Sequence, residues 1–227
     1  MTDREQELLE RIAQLEAQLG QKPKRTSAQE RKRRAPKGRA ARAITEEEYH
    51  ELIETMRRGG VGFKASDRNA TAFVMQANLG LRIGDVLKLT PNSFVRTSDG
   101  WKLAVVEEKT GKVRDFRVEN ELMLFIENYC LRNGIGTKDR IFPFSVRTAQ
   151  DYLQKVVAYL YDNPEEQNIG THSFRKMYAT KLYEKNGRDI RLVQQMMLHG
   201  SAETTERYIG IKPERLEAAQ KSVLDIR

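Results

Sequence analysis

The chain has 227 residues, 39% apolar and 32% charged, which is enough for one domain with an appendage or for two small domains. No apolar run approaches the roughly 18–20 residues of a bilayer span, and the charged start MTDREQELLERI is no secretory signal. The one cysteine, Cys130, excludes an internal disulfide, and no Cys/His spacing suits zinc, so a reducing cytoplasm and no structural metal are expected.

Leu8, Ile12, Leu15 and Leu19 are spaced 4, 3, 4, an a/d stripe on an amphipathic helix over residues 1–20. So short a helix is marginal alone; dimerisation or docking on its own domain would cover the stripe. Residues 1–21 carry −3. Residues 22–43 carry ten Lys/Arg against Glu30, or +9, which leaves +2 of the formal +8 for the rest. With Pro23, Pro36 and Gly38, residues 21–43 read as a disordered basic linker that suggests a polyanion partner.

The character changes at AITEEEYHEL. Thr45 and Glu48 form a capping box, flanked by Ile44 and Tyr49 as a hydrophobic staple, so a folded domain is expected over residues 44–227. Helices are expected near 46–58 and 67–78, with Gly80 ending the second and another restarting near Gly84. WKLAVV (101–106) and VRDFRV (113–118), separated by a Thr110-Gly111 turn, read as a β-hairpin. Further helices are expected near 119–133, 146–161, 173–186, 190–198 and 202–208, and a last one opens at Pro213; DNPEEQNIG reads as a loop. The fold class is α+β, mainly helical, with a small antiparallel sheet.

Several polar residues ask for a chemical explanation. In LHGSAETTERYIG, His199 and Tyr208 are nine residues apart, which would put them on opposite faces of one straight helix. Gly200 as a stop and Ser201 as an N-cap break that helix and let both face one pocket. Tyr208 is then either a half-buried core residue or a nucleophile. In THSFRKMYATKLYEKNG, the apolar positions Phe174, Met177, Tyr178, Leu182 and Tyr183 give the core face. His172 and Arg175, three apart at the helix start, read either as solvated residues or as a phosphate seat. Arg82 lies in a tight turn among apolar neighbours, where Asp85 either pairs with it or orients it as a second phosphate clamp. Lys109 stands beside the hairpin turn, either solvated or placed to deliver a proton.

Taken in order, GLRIGDVLKL, EEKTGKVRDFRV, HSFRKMYAT and LHGSAETTERYIG resemble the catalytic domain of the tyrosine recombinase (phage integrase) family, from about Thr45 to Pro213. The resemblance implies a site-specific DNA recombinase. Tyr208 would attack a scissile phosphate, Arg82 and Arg175 would clamp its non-bridging oxygens, and His172 would act as general acid/base. His199 would hydrogen-bond the phosphate and Lys109 would protonate the leaving 5′-oxygen. A 3′-phosphotyrosyl link would hold the bond energy, so no metal, ATP or other cofactor is implied. Double-stranded DNA is the implied partner, with a homo-oligomer, a tetramer on two DNA sites, and an accessory DNA-binding protein as further expectations, and no membrane. Such an enzyme would belong to a mobile element or a bacterial chromosome, and would be cytoplasmic and nucleoid-associated. A DNA-binding regulator that kept the fold, or a related type IB topoisomerase or telomere resolvase, are the alternatives. Two departures from the family stand out: no full core-binding domain fits in the first 43 residues, and Lys176 follows Arg175 where many relatives have His.

Overall fold

The first described helix begins where its capping signal predicts. Thr45 Oγ1 accepts from the Glu48 N–H and the Glu48 carboxylate accepts from the Thr45 N–H, at 3.2 and 2.8 Å, opening helix α1 (Glu46–Arg58). Ile44 is buried, and Tyr49 packs edge-on against Phe174 at 6.3 Å between centroids. The computed structural model describes residues 40–106, 109, 111, 113–199 and 201–209. The amphipathic stripe, the basic run up to Arg39 and the helix after Pro213 lie outside the described residues. Arg42, one of the ten cations of the basic run, is held by the folded unit. Its guanidinium pairs with Glu48 and donates to the Gln167 carbonyl, and its N–H donates to the Asn168 carbonyl.

Helix α2 (Asp67–Leu79) is buried along most of its length and packs on α1. Gly80 ends it in the left-handed region at φ 60°. A Cβ there would also stand 2.4 Å from the Tyr178 ring, so the position demands glycine on two counts. The restart is a single turn, α3 (Ile83–Val86), with Arg82 extended just before it.

The sheet has one strand more than the expected hairpin. β1 (Phe94–Thr97), β2 (Gly100–Val106) and β3 (Val113–Val118) form an antiparallel sheet in that order. Its register lines up Phe94, Leu103 and Phe116 across the strands, and this row seals the sheet against the core. Helices α4 (Asn120–Arg132) and α5 (Val146–Leu160) follow as expected. The stretch read as a loop contains one helical turn, α6 (Pro164–Gln167), with Pro164 at its start, where proline's missing N–H costs nothing.

Helices α7 (Thr171–Lys185), α8 (Ile190–Met197) and α9 (Ala202–Ile209) complete the described chain. α7 serves two cores. Phe174 stacks on Phe73 of α2 at 4.6 Å in the main core. Tyr178, Leu182 and Tyr183 pack instead on a small cluster built on Ala179, Val193 and Met197, which binds α8 and α9 to α7. Among the described residues no helix is long and apolar enough to cross a membrane.

Candidate active site

An open cleft of about 770 Å³ is lined by Arg82 to Asp85, Lys109, Val146, Gln150, Thr171 and His172. Three of the six candidate residues therefore meet there: Arg82 from the α2–α3 turn, Lys109 from the tip of the β2–β3 hairpin, and His172 from the first turn of α7. Asp85 is buried in the same wall. The N-terminal turn of α7 also faces the cleft through Thr171 and His172, which adds a helix end favourable to anions. Gln150, on α5, is a polar wall residue that no motif of the sequence marks. Among the described residues no group of three or more His, Cys, Asp and Glu side chains is arranged to hold a metal ion.

The sequence anticipates Arg175 near the phosphate seat but not its burial. Only 1% of its surface is exposed. Nη1 donates to the Gly80 carbonyl at 2.6 Å and Nη2 to the Met197 carbonyl at 3.0 Å. Gly80 stands two residues before Arg82, and Met197 two before His199. One guanidinium thus ties the Arg82 turn and the His199 turn to α7. A buried charge is tolerable only with such partners, and the planar fork meets two carbonyls that a lysine could not reach together.

His199 is aimed by a strained backbone. The sequence places the helix stop at Gly200, which lies outside the described residues; in the structure Leu198 itself takes the left-handed conformation, φ 54°. The Leu198 N–H and the His199 N–H both turn back to the Gln194 carbonyl, closing α8 one turn before the break. A leucine in this region costs about 1–2 kcal/mol; the satisfied carbonyls and the buried Met197 hold it there. Ser201 then caps α9 by accepting from the Thr204 N–H at 3.2 Å, as its residue type predicts. Thr205, fully buried, is a further residue of the site that the sequence reading missed. Its hydroxyl donates to the Ser201 carbonyl at 3.3 Å, so its oxygen accepts from His199 Nδ1 at 3.0 Å. This assignment puts the ring proton on Nδ1 and makes Nε2 the basic nitrogen.

Tyr208 does not line the cleft. It stands beside it, in the small cluster of α7, α8 and α9. The His199 ring meets it edge to face, centroids 5.0 Å apart, so the break between α8 and α9 does bring the two together. The Tyr208 hydroxyl is buried without a well-formed hydrogen bond among the described residues. Burial pushes its pKa up from the usual value, and the Arg175 guanidinium beside it and the Arg82 charge oppose that rise. His172 moves the other way. Loss of hydration, then the charges of Arg175, Arg82, Lys109 and Lys176, lower its pKa and favour the neutral imidazole. His172 is exposed on the cleft lining, where the charges of Arg175, Arg82, Lys109 and Lys176 act on it. The fields tie the two groups of residues together: Arg82 and Arg175 act on both His172 in the cleft and Tyr208 beside it.

Comparison with known proteins identifies the fold and the family. A model described as "Phage integrase family" matches residues 42–215. The probable integrase/recombinase YoeC of Bacillus subtilis is 29% identical over 159 residues, which cover 68% of this chain and 83% of that protein. Tyrosine recombinase XerA of Pyrococcus furiosus is 27% identical over 184 residues, 78% of this chain but 60% of XerA. Among solved structures, XerH recombinase bound to its difH substrate superposes with a TM-score of 0.58 at 19% identity, over 78% of this chain and 53% of XerH. The catalytic domain of bacteriophage HP1 integrase superposes at 0.53 and 18%, over 80% of this chain and 94% of that domain. The chain thus covers most of the HP1 integrase catalytic domain and about half of the XerH chain it matches. The family model spans well over half of the chain, and the chain belongs to the phage integrase family.

Proposed function

We propose that the protein is a site-specific DNA recombinase that cleaves and rejoins DNA through a 3′-phosphotyrosyl intermediate on Tyr208. The observation that carries this reading is the convergence on α7: His172 faces the cleft with Arg82 and Lys109, while Arg175, three residues on, is buried between the turns that present Arg82 and His199. In this reading the scissile phosphate enters the cleft. Arg82 and Arg175 neutralise the charge that its non-bridging oxygens gain in the transition state. Tyr208 Oη forms the new bond to phosphorus, its proton passing to the neutral His172, and the 5′-oxygen leaves as Lys109 gives it a proton. A second 5′-hydroxyl then attacks the phosphotyrosine, releases Tyr208 and restores the phosphodiester. With Nδ1–H committed to Thr205, His199 donates to the phosphate only through a protonated Nε2.

The partner is double-stranded DNA, and the working form is a homo-oligomer on two sites. Residues 22–43 supply sequence-independent phosphate contacts, and an accessory DNA-binding protein completes site choice. Such a protein works in the cytoplasm, on the nucleoid. Each phosphate that the basic run neutralises steepens the fall of log K with log salt by about 0.9. Deleting residues 1–39 is expected to flatten that slope; an unchanged slope would show that the basic run does not contact DNA.

The burial of the Tyr208 hydroxyl favours one second reading, a regulator that binds DNA without cutting it. Covalent trapping separates the two. Wild type and Tyr208→Phe are incubated with a pool of nicked duplexes and denatured. DNA that stays attached to wild type alone supports the recombinase. Equal noncovalent binding by both proteins, with no attachment to either, supports the regulator.

A further inference from the structure

Of the lysines of α7, none of which the mechanism above uses, Lys176 is the one beside Arg175. Successive residues on a helix are turned by about 100°, so Lys176 cannot follow Arg175 into the buried fork between Gly80 and Met197. It points instead across α7 toward α9. Its Nζ stands over the Tyr208 ring, 5.3 Å from the centroid. The side chain is half-buried. The His199 ring meets the same phenol edge-on at 5.0 Å. Tyr208 is therefore in contact with both a cation and an imidazole, in the cluster that also takes in Tyr178, Leu182 and Tyr183. A cation over an aromatic face is held by the ring's quadrupole, and the contact strengthens when water is excluded. It also sets a positive charge against the ring whose oxygen must become negative to react.

We propose that Lys176 is a positioning residue for Tyr208: its ammonium fixes the phenol ring against His199 and stands as the positive charge that the phenolate meets when its proton leaves. This rests on the reading of Tyr208 as the nucleophile. The need for such a charge follows from the site. Burial disfavours the phenolate, and among the described residues the groups that face Tyr208 are few. They are Arg175 and Lys176 from α7, His199 from the end of α8 and Arg82 from the α2–α3 turn, with the phenols of Tyr178 and Tyr183 in the same cluster. Arg175 is already engaged by two backbone carbonyls. A bound phosphate would draw on Arg175 and Arg82 further, and Lys176 is the cation placed on the ring itself. Where the family often has His at this position, this chain has a longer arm whose amine reaches the ring, with burial lowering its pKa from the usual lysine value.

The test separates this coupling from the reaction. Protein labelled with ¹³Cζ-tyrosine is titrated by NMR, and the Tyr208 resonance is assigned with Tyr208→Phe. Lys176→Met keeps the length of the arm and removes its charge; Lys176→Arg keeps the charge. Tyr208 is expected to ionise at higher pH in Lys176→Met than in wild type, with Lys176→Arg close to wild type. Covalent attachment to nicked DNA at neutral pH is expected to fall roughly tenfold in Lys176→Met, the effect of one charge at about 5 Å under partial solvent screening. That loss should shrink as pH rises, because the alkaline limb of the rate profile moves up; a purely structural defect would lower the rate equally at every pH. An unchanged Tyr208 titration in Lys176→Met, or a Lys176→Arg protein that behaves like Lys176→Met, overturns the proposal. A shifted titration with no covalent attachment by any variant upholds the coupling and overturns the recombinase reading instead.

Discussion

Replacing Arg175 tests the design of the site at its joint. Arg175→Ala removes a buried guanidinium and leaves the Gly80 and Met197 carbonyls without their donors in a region closed to water. Hydrogen bonds from a charged donor contribute about 1.5–3 kcal/mol each, and a buried acceptor left unmet costs about 1–3 kcal/mol. Some of the second figure is the same energy counted from the other side, so a loss of about 3–5 kcal/mol is expected. That is a large fraction of the roughly 5–15 kcal/mol that holds a domain folded. At a urea m-value of about 2 kcal/mol/M the midpoint would drop by roughly 2 M. Arg82→Ala is the control. Arg82 lies on the wall of an open cleft and is only partly buried, so its loss should cost about 1 kcal/mol or less while removing the same formal charge from the phosphate seat. Both variants should lose DNA cleavage, but only Arg175→Ala should lose stability. Equal urea midpoints for Arg175→Ala and wild type would show that the two carbonyl contacts of Arg175 do not tie the three motif stretches together.

Three other outcomes follow from single contacts. Thr205→Val keeps the shape of the side chain but removes the oxygen that accepts from His199 Nδ1. It should destabilise the protein by about 1–3 kcal/mol in urea melts and free the imidazole tautomer, seen as a changed pattern of His199 ¹⁵N resonances. Gly80→Ala forces a Cβ into the left-handed region and against Tyr178, and should cost about 2–4 kcal/mol by the same melts. His172 has a lowered pKa in the folded protein, so below about 6.5 the unfolded chain binds the extra proton more readily. The stability that His172 contributes is complete above that pH and is lost as pH falls through the folded value. His172→Gln should flatten the acid side of the stability profile, and an unflattened profile would show that the cations do not act on it.

What the sequence makes legible is whatever repeats at short range. Helix starts at Thr45, Ser145 and Ser201 follow from one hydroxyl and its spacing to the next turn. The hairpin follows from two β-branched runs around a glycine. β1 escaped notice because Phe94–Thr97 is only four residues long, follows a Pro91–Ser93 turn, and is a strand only through its pairing with β2. α6 was hidden by composition: PEEQ reads as a polar loop although proline followed by acids is also a helix start. The candidate site shows the same division. The types of Arg82, Lys109, His172, Arg175, His199 and Tyr208 are visible in their motifs. The contact of Arg175 with Gly80 spans 95 residues and has no local signature. Leu198 in place of a glycine stop, Thr205 behind His199 and Lys176 over Tyr208 are likewise set by packing between α7, α8 and α9, which no spacing records.

The most direct measurement is the identity of the residue that carries DNA. Wild-type protein trapped on nicked duplexes is digested with nuclease and protease, and the nucleotide-bearing peptide is sequenced by mass spectrometry. The expected adduct is a nucleotide joined through its 3′-phosphate to Tyr208, with a free 5′-hydroxyl left on the downstream fragment of the same strand. An adduct on any other residue, a 5′-phosphate link, or bound DNA with no adduct at all would contradict it.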